Sequence, residues 1–455
     1  MKTLLFPVLL VGALSAVASG ATISIDTSGR LQLIEGFGFS QAFGRAAEFQ
    51  NASSNLQKQA LDYLFSTETG AGFSIIRNWI PSSTEYTIEP NSPTSATSPP
   101  TYVWDDDDEG QVWFSKKAIS YGVQTIYADA WSAPGFMKTN GDEATPGYLC
   151  GTPGHDCSTG DWRQAYADYL VQYVKFYEGE GMNITHLGFL NEPDITVGYS
   201  QMQISPNATE AISFIPILYK TVKDADLKIS ITCCDAAGWD VQSNYTDALV
   251  AAGMDSYLDV ITSHMYYSDP TYALTTRLPA WLSEGGLTGP FTTVWYDNGS
   301  VTEGFTWANK IATGIVHANL SAYLYWEGFE INQTQSGSHL VDVSGNEALP
   351  SSIFYAFTMW SRFIRPGAFR LATSGSPSEV ITAAFENPDL SIVVVVTNTG
   401  SSAQSIEIPL VGNRTSTHAW LTDDTNQVNS TLTKVDGNMI GITVPSHGVV
   451  TLQMT

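Results

Sequence analysis

The chain contains 455 residues, of which 45 are acidic and 20 basic, so its formal net charge at pH 7 is -25. This length is sufficient for one large domain and a smaller one. The negative charge excludes nucleic acid as a partner, because the two polyanions repel each other at long range. The 12 Trp and 21 Tyr residues are typical both of a packed core and of surfaces that cover the apolar faces of sugar rings.

The first 20 residues predict a secretory signal peptide and therefore an extracellular protein. Lys2 precedes an apolar run, and the small residues Ala16 to Ala18 offer a cleavage site. The run is too short for a membrane span and no later segment is long and apolar enough, so we expect no membrane partner. Nine N-x-Ser/Thr sequons agree with secretion and are candidate glycosylation sites: Asn51, Asn183, Asn207, Asn244, Asn298, Asn319, Asn332, Asn413 and Asn429.

Four cysteines form two local pairs. Cys150 and Cys157 flank a polar loop with Gly and Pro, and we predict a disulfide between them. Cys233 and Cys234 are adjacent, which is compatible with two buried thiols or with a vicinal bridge. Neither pair has zinc-ligand spacing with nearby histidines, so we expect no metal and no other cofactor.

Strand-like segments alternate with helical or loop segments from residue 34 to residue 365. Helical spacing is clearest over residues 161–181 and 349–364. Eight alternations over this length predict an α/β fold, a (β/α)8 TIM barrel. The predicted strands are residues 34–40, 72–80, 124–131, 185–193, 227–234, 259–267, 279–286 and 321–329.

A second domain is predicted from both chain ends. Beyond Pro366 the sequence changes to short strands separated by turn residues, which indicates a β-sandwich over residues 366–455. The strand-like residues 21–33 have no place in the barrel, so we expect them to join this side domain.

An insertion rich in Pro, Ser and Thr spans residues 81–110, between the second barrel strand and its helix. It is too long for an ordinary connector. A disordered or glycosylated surface loop is one interpretation. We favour a wall of a substrate cleft, because loops after barrel strands form the catalytic face.

Glu192 in GFLNEPD and Glu284 in PAWLSEGG each follow a short apolar run, the fourth and seventh predicted strands. Carboxylates on the ends of different barrel strands suit the hydrolysis of a glycosidic bond, with one as proton donor and the other as nucleophile. Retention of configuration requires the two groups to lie about 5–5.5 Å apart. Glu327 and Glu330, on the eighth strand, are rivals for the nucleophile.

Other strand ends supply candidate supporting groups. Asn191 is placed to bond a sugar hydroxyl, and His264 and Tyr266 end the sixth strand beside Glu284. Trp131 and Trp326 are candidate sugar platforms, although each also fits plain core packing. Arg77 and Asn78 are expected to bond within the barrel interior, in a supporting role.

The motifs IEGFGFSQAFG, DAWSAPGFMK, FLNEPD, SHMYY, WLSEGG and LYWEGF, in this order, resemble glycoside hydrolase family 30. The resemblance covers nearly the whole mature chain and implies a (β/α)8 barrel with a side β-sandwich and a retaining mechanism. It also implies Glu192 as acid/base and Glu284 as nucleophile. Two departures weigh against a specificity for glucosyl units: Asp129-Ala130 stands where Ser-Pro is common, and Phe136 where Trp is common.

Within that family the chain looks most like the fungal xylanase branch. The resemblance implies an enzyme for β-1,4-xylosidic bonds of xylan, acting on glucuronoxylan or releasing xylobiose, and we expect it to be a secreted monomer. Arg45 is a candidate to bind a glucuronate branch, with a surface arginine equally compatible and Arg277 a weaker rival. Asn91 is a candidate contact for the non-reducing end. The alternatives are a β-1,6-glucanase or glucosylceramidase-like β-glucosidase, and a non-catalytic glycan-binding protein.

Overall fold

The computed structural model describes residues 20–412 and 414–455. Residues 1–19 of the predicted signal peptide and the sequon residue Asn413 therefore lie outside the described residues. The other eight sequon asparagines are all exposed. Within the described residues, no helix combines the length and the apolarity that crossing a membrane requires.

Two strands precede the barrel and eight parallel strands form it. The first two are β1 (Ala21–Thr22) and β2 (Ser24–Ile34). The barrel strands are β3 (Gly36–Ser40), β4 (Ile75–Ile80), β5 (Thr125–Ala130), β6 (His186–Gly188), β7 (Ser230–Ala236), β8 (Val260–His264), β9 (Ala280–Glu284) and β10 (Ala322–Ile331). The barrel closes because β10 pairs in parallel with both β9 and β3. The predicted TIM barrel is thus confirmed.

Eight α-helices surround the barrel strands in the described part of the chain. In α4 every third or fourth residue is a buried tyrosine, so one face of that helix packs on the barrel. The helices are α1 (Arg45–Gln50), α2 (Ser54–Phe65), α3 (Gln111–Ser120), α4 (Arg163–Gly179), α5 (Thr209–Asp224), α6 (Trp239–Ala251), α7 (Gly304–His317) and α8 (Ser352–Ser361).

The remaining strands form a hairpin on the barrel and the side domain. The hairpin strands are β11 (His339–Ser344) and β12 (Glu347–Pro350); the side-domain strands are β13 (Ala368–Ser374), β14 (Val380–Glu386), β15 (Ile392–Asn398), β16 (Gln404–Pro409), β17 (Thr417–Thr422), β18 (Asn429–Thr431), β19 (Lys434–Asp436), β20 (Met439–Val444) and β21 (Val449–Met454). β1 lies in a four-stranded sheet with β16, and β2 lies at the edge of a seven-stranded sheet beside β13. The β-sandwich built from both chain ends, the predicted fold class, is confirmed.

The two domains share a continuous apolar core. Phe385 and Val395 of the sandwich belong to the same buried cluster as Trp360 of α8. A second contact joins the sandwich to the loop after β9, where Trp295 donates its indole N–H to the carbonyl of His447 at 2.7 Å and the ring of Tyr296 stacks on His447. The sandwich therefore supports a loop whose neighbouring residues line the cavity described below.

The 81–110 insertion does not form the predicted cleft wall. None of these residues, all of which the structure describes, lines the large cavity. The insertion instead folds back on α4, where Trp104 stacks on Phe176 with ring centroids 5.0 Å apart. Thr87 is hydrogen-bonded to Tyr169 at 3.0 Å. Burial of its few apolar residues against α4 explains why this segment turns away from the cavity.

Both cysteine pairs form bridges in the structure. The predicted Cys150–Cys157 disulfide closes a small loop after β5. Cys233 and Cys234, for which sequence allowed two states, form a vicinal bridge near the end of β7.

Candidate active site

The carboxyl ends of the barrel strands surround one open cavity of about 1230 Å³. Its wall includes both predicted catalytic glutamates, both predicted Trp platforms and Asn191. This volume exceeds the usual 300–1,000 Å³ of a small-molecule site, which suits an oligosaccharide.

Glu192 and Glu284 reach the cavity from opposite strands. Glu284 is the last residue of β9, and Glu192 follows β6 with a positive φ of 47°. Each is only 4% exposed. A carboxylate oxygen of each, together with a ring nitrogen of His264, lies in a group of atoms all within 4.8 Å of one another. Two separate segments of sequence thus deliver one close pair of carboxyl groups.

Arg77, in β4, ties Glu284 to the barrel interior. It is fully buried and donates one N–H to Glu284 and others to Asp129 and Asn191, each of the latter at 2.7 Å. The hydroxyl of Tyr266 donates to the other oxygen of Glu284 at 2.7 Å. Both oxygens of Glu284 therefore accept hydrogen bonds, which fix the orientation of its carboxylate.

His264 is a buried cation between the two glutamates. Its Nδ1 lies 3.0 Å from Glu192 Oε1 and 3.6 Å from Glu284 Oε1, and its Nε2 lies 3.4 Å from Asp235. Burial opposes its protonation, but Glu284, Asp235 and Glu192 together raise the pKa of His264 to about 10. The imidazolium therefore places a positive charge beside the carboxyl pair at neutral pH.

The pKa of Glu284 is raised above its usual value. Burial is the main cause and the charge of Glu192 adds to it, whereas His264 and Arg77 oppose the rise. Two carboxyl groups at one cavity wall, one of them held by a fixed cation, supply the two groups that acid/base work with a nucleophile requires.

Sequence reasoning missed several aromatic residues of the cavity wall, among them Phe43 and Tyr199. The ring of Phe43 lies 5.5 Å from that of Trp131 and 5.8 Å from that of Trp326. Its φ of 61° is unusual for a bulky residue and aims the ring from the loop after β3. The hydroxyl of Tyr199 lies 3.4 Å from Glu192. Both residues sit in loops, where hydrophobic periodicity carries no information.

Sequence reasoning also missed Asp235, which joins several strands below the pair. It accepts hydrogen bonds from Ser283, Thr262 and Tyr127 at 2.5–2.7 Å. Its position directly after the adjacent cysteines of β7, at a barrel strand end, is the sequence feature that marks it.

Two predicted glycan contacts lie away from the cavity wall. Arg45 is paired with Glu327 at 3.1 Å and with Glu330 at 3.7 Å, and it is not among the wall residues. Asn91 is exposed in the insertion over α4 and is also not among them.

Arg277, the weaker rival of Arg45, lies at the wrong end of the barrel. It precedes β9, whereas the cavity lies where the strands end, and it pairs with Asp255 at 2.8 Å. This contact contradicts a role for Arg277 at the cavity.

Among the described residues, Glu192, His264 and Glu284 are the group whose donor atoms are close enough to hold a metal ion. Arg77 and the imidazolium of His264 already supply positive charge there, and Arg77 and Tyr266 occupy the oxygens of Glu284. The donor set is therefore better matched to two carboxyl groups and their counter-charges than to a cation.

Comparisons with known proteins agree with this geometry. Residues 20–278 match the family model described as O-Glycosyl hydrolase family 30, and residues 367–452 match that of the Glycosyl hydrolase family 30 beta sandwich domain. The solved catalytic domain of GH30 xylanase C from Talaromyces cellulolyticus is similar, with a TM-score of 0.91 and 46% sequence identity over 95% of this chain and 100% of that chain.

More distant relatives have names that refer to different polysaccharides. Endo-1,6-beta-D-glucanase neg1 of Aspergillus fumigatus is 25% identical over 430 residues, which cover 83% of this chain and 81% of that protein. Glucuronoxylanase XynC of Bacillus subtilis is 20% identical over 364 residues, which cover 76% of this chain and 78% of that protein.

Proposed function

Because the chain belongs to glycoside hydrolase family 30, we propose that it is a secreted retaining β-glycosidase that hydrolyses β-1,4-xylosidic bonds in xylan. The reaction type rests on one observation: oxygens of Glu192 and Glu284 lie within 4.8 Å of each other at the wall of an open cavity. This separation suits double displacement, whereas inversion needs about 6.5–9.5 Å to admit a water.

The reaction proceeds in two balanced steps. In the first, an oxygen of Glu284 attacks the anomeric carbon, the bond to the leaving oxygen breaks, and Glu192 gives that oxygen its proton. In the second, Glu192 takes a proton from water while the water oxygen attacks the anomeric carbon and frees Glu284. Glu192 ends protonated and the configuration is retained.

The division of labour follows from the positions of the fixed charges. Arg77 is permanently charged and bonds directly to Glu284, which favours the ionised form of that carboxyl. Glu192 has no bond to Arg77, so the acid/base role is assigned to Glu192 and the role of nucleophile to Glu284. Tyr266 and Arg77 then hold the nucleophile in line, and the charge of His264 stabilises the pair in each step.

Xylan as substrate is supported by the 46% identity to a xylanase catalytic domain. Trp326 and Phe43, both half-buried, give the cavity an aromatic wall for sugar rings, and the buried Trp131 packs behind them. The competing substrate is β-1,6-glucan, since a relative at 25% identity is named as an endo-1,6-glucanase.

The contacts of Arg45 argue against the prediction that this residue binds a glucuronate branch. The guanidinium of Arg45 is already paired with the carboxyl groups of Glu327 and Glu330 in its own chain. A second anion would have to displace them or share a charge already paired. We therefore propose xylan hydrolysis without a uronate role for Arg45.

Product analysis tests the substrate. The purified protein is incubated with glucuronoxylan, with the same polymer after removal of its glucuronate, and with β-1,6-glucan, and the products are identified by mass spectrometry. Xylooligosaccharides from both xylans support the proposal. Release from β-1,6-glucan alone would replace xylan with glucan. Binding to xylan with no product from any polymer would favour a non-catalytic glycan-binding protein.

Secretion, glycosylation and a monomeric state belong to the same proposal. Secretion and glycosylation are supported by the N-terminal apolar run and by eight exposed sequon asparagines. N-terminal sequencing of the protein from the culture medium, with its mass before and after glycan removal, tests the first two. Light scattering tests the third.

A further inference from the structure

Lys138 is a lysine buried among backbone carbonyls. It follows the short turn after β5 and is 3% exposed. Its Nζ donates to the carbonyls of Asp142, Glu143 and Thr145 at 2.7, 3.0 and 2.9 Å, and also to the carbonyl of Gln201. An ammonium group has three N–H donors, so four carbonyls share them. Burial of a charge costs free energy unless such contacts offset it, so this arrangement needs a functional explanation.

The four carbonyls come from two different loops. Three belong to the loop after β5, which also carries Lys138, and the fourth belongs to Gln201 in the loop after β6. Further contacts join the same loops: Gln201 N donates to the Glu143 carbonyl at 2.8 Å and Gln203 N to the Gly147 carbonyl at 2.9 Å. Ser200 also donates to the Glu143 carboxylate at 2.9 Å. Lys138 is the cation at the centre of this junction.

The contacts between these two loops extend to the backbone of Glu192. The side-chain amide of Gln201 donates to the Glu192 carbonyl at 3.1 Å. On its other side, Glu192 N donates to the Asp235 carbonyl at 2.8 Å. The left-handed backbone of Glu192, with φ of 47°, costs roughly 1–3 kcal/mol and persists only where its surroundings enforce it. Gln201 is one of the groups that hold this backbone in place.

We propose that Lys138 is a positioning residue for Glu192, acting through Gln201 to hold the acid/base carboxyl at the leaving oxygen. This inference rests on the proposed glycosidase function. Burial lowers the pKa of Lys138 to about 8, so the side chain is charged at acid and neutral pH. Loss of that charge would free Gln201 and let the backbone of Glu192 relax, while Glu284 keeps its contacts with Arg77 and Tyr266.

A change of leaving group tests this. The Lys138→Met variant keeps the length of the side chain but removes the charge. Its kcat/KM is measured on phenyl xylobioside, whose leaving oxygen needs a proton, and on 2,4-dinitrophenyl xylobioside, whose leaving oxygen does not. We expect a loss of ~10²-fold on the phenyl substrate and little change on the dinitrophenyl substrate. Equal losses on both substrates, or no loss on either, would overturn the proposal.

Three controls make the result specific. Lys116→Met removes a surface lysine that pairs with Glu180, and both rates should stay unchanged. Glu192→Ala should show the same leaving-group dependence as Lys138→Met, only larger; if it shows none, the acid/base assignment itself has failed. Gln201→Leu removes the link and serves if Lys138→Met does not fold: selective loss on the phenyl substrate supports the proposal, and any other result overturns it.

Discussion

Two pairs of glutamates lie at the same end of the barrel, and only one pair opens to the cavity. Glu192 and Glu284, the cavity pair, form part of the cavity wall. Glu327 and Glu330 on β10, the closed pair, do not. Ser338 lies between the cavity and the closed pair, because it lines the cavity and donates a hydrogen bond to Glu330 at 2.6 Å. Close carboxyl groups alone therefore do not identify a catalytic pair.

The counter-charges separate the two pairs. Behind the cavity pair, Arg77 and His264 are fully buried. Beside the closed pair lie Arg45, whose side chain is 27% exposed, and the buried His339, 3.7 Å from Glu330. Burial raises the pKa of Glu327 well above its usual value, and its hydrogen bond to Glu330 adds to the rise. The closed pair thus keeps its proton in an internal hydrogen bond, where no substrate reaches it.

Replacing each candidate nucleophile should give the largest difference in activity between the two pairs of glutamates. Glu284→Ala should lower kcat/KM on xylan by ~10⁴-fold or more, because the substitution removes the attacking carboxylate itself. Glu327→Gln keeps a hydrogen-bond donor for Glu330 and should keep most of the activity. Reducing-sugar release from xylan measures both. The reverse order of the two losses would assign the nucleophile to β10.

Glu192→Ala should lose ~10²–10⁴-fold on substrates whose leaving group needs a proton. Azide, a small anion that needs no general base, should restore turnover of an activated aryl xyloside and yield the β-configured xylosyl azide. Nuclear magnetic resonance identifies that product. An α-configured azide would point to a direct displacement instead of a covalent intermediate.

The buried arginine should matter more for stability than the exposed one. Arg77→Met removes a buried counter-charge shared by Glu284, Asp129 and Asp235 and should lower the free energy of unfolding by about 3–5 kcal/mol. Arg45→Met should lower it by about 1 kcal/mol or less, because that side chain is partly in solvent. Urea unfolding measures both. Similar losses would mean that the two pairs are equally dependent on their cations.

Arg45→Ala should change activity on glucuronoxylan and on unbranched xylooligosaccharides by the same small factor. The reason is that its guanidinium is paired within the chain and lies away from the cavity wall. The ratio of the two kcat/KM values is the measurement. A selective loss on glucuronoxylan would show that Arg45 leaves its glutamates to bind a uronate.

The smallest effect concerns pH. The raised pKa of Glu327 means that the folded protein holds a proton that the unfolded chain releases near its usual value of 4.5. The stability that this proton contributes is full below that value and is lost as pH rises through the folded pKa. Glu327→Gln does not titrate, so its melting temperature relative to the unaltered protein should increase with pH. A constant difference would show that Glu327 is not protonated in the folded state.

Sequence was sufficient for the barrel and for its two central residues. The strand segments are apolar runs bounded by turn residues, and strand ends of a parallel barrel meet at one face, so Glu192 and Glu284 were placed there from their positions alone. Arg77 was predicted only to support the interior. Its three-way bonding to Glu284, Asp129 and Asn191 depends on register across strands, which no local pattern records.

Sequence-based prediction failed for features that depend on contacts between residues far apart in the chain. The pairing of Arg45 with Glu327 joins residues 282 positions apart, and the burial of Trp104 against α4 turned the insertion away from the cavity. Phe43 and Tyr199 reach the cavity from loops, whose conformations are set by tertiary packing. Lys138 falls in the same class, because a lysine surrounded by carbonyls leaves no mark in the sequence.

The most direct measurement is the site of a trapped covalent intermediate. In a 2-deoxy-2-fluoro xylobioside the fluorine slows both steps, but a good leaving group keeps the first step fast enough to occur. The covalent sugar adduct therefore accumulates on the nucleophile. Mass spectrometry of peptides from the inactivated protein should find the adduct on Glu284. An adduct on Glu327 or Glu330, or hydrolysis of xylan with inverted configuration and no adduct, would contradict the account.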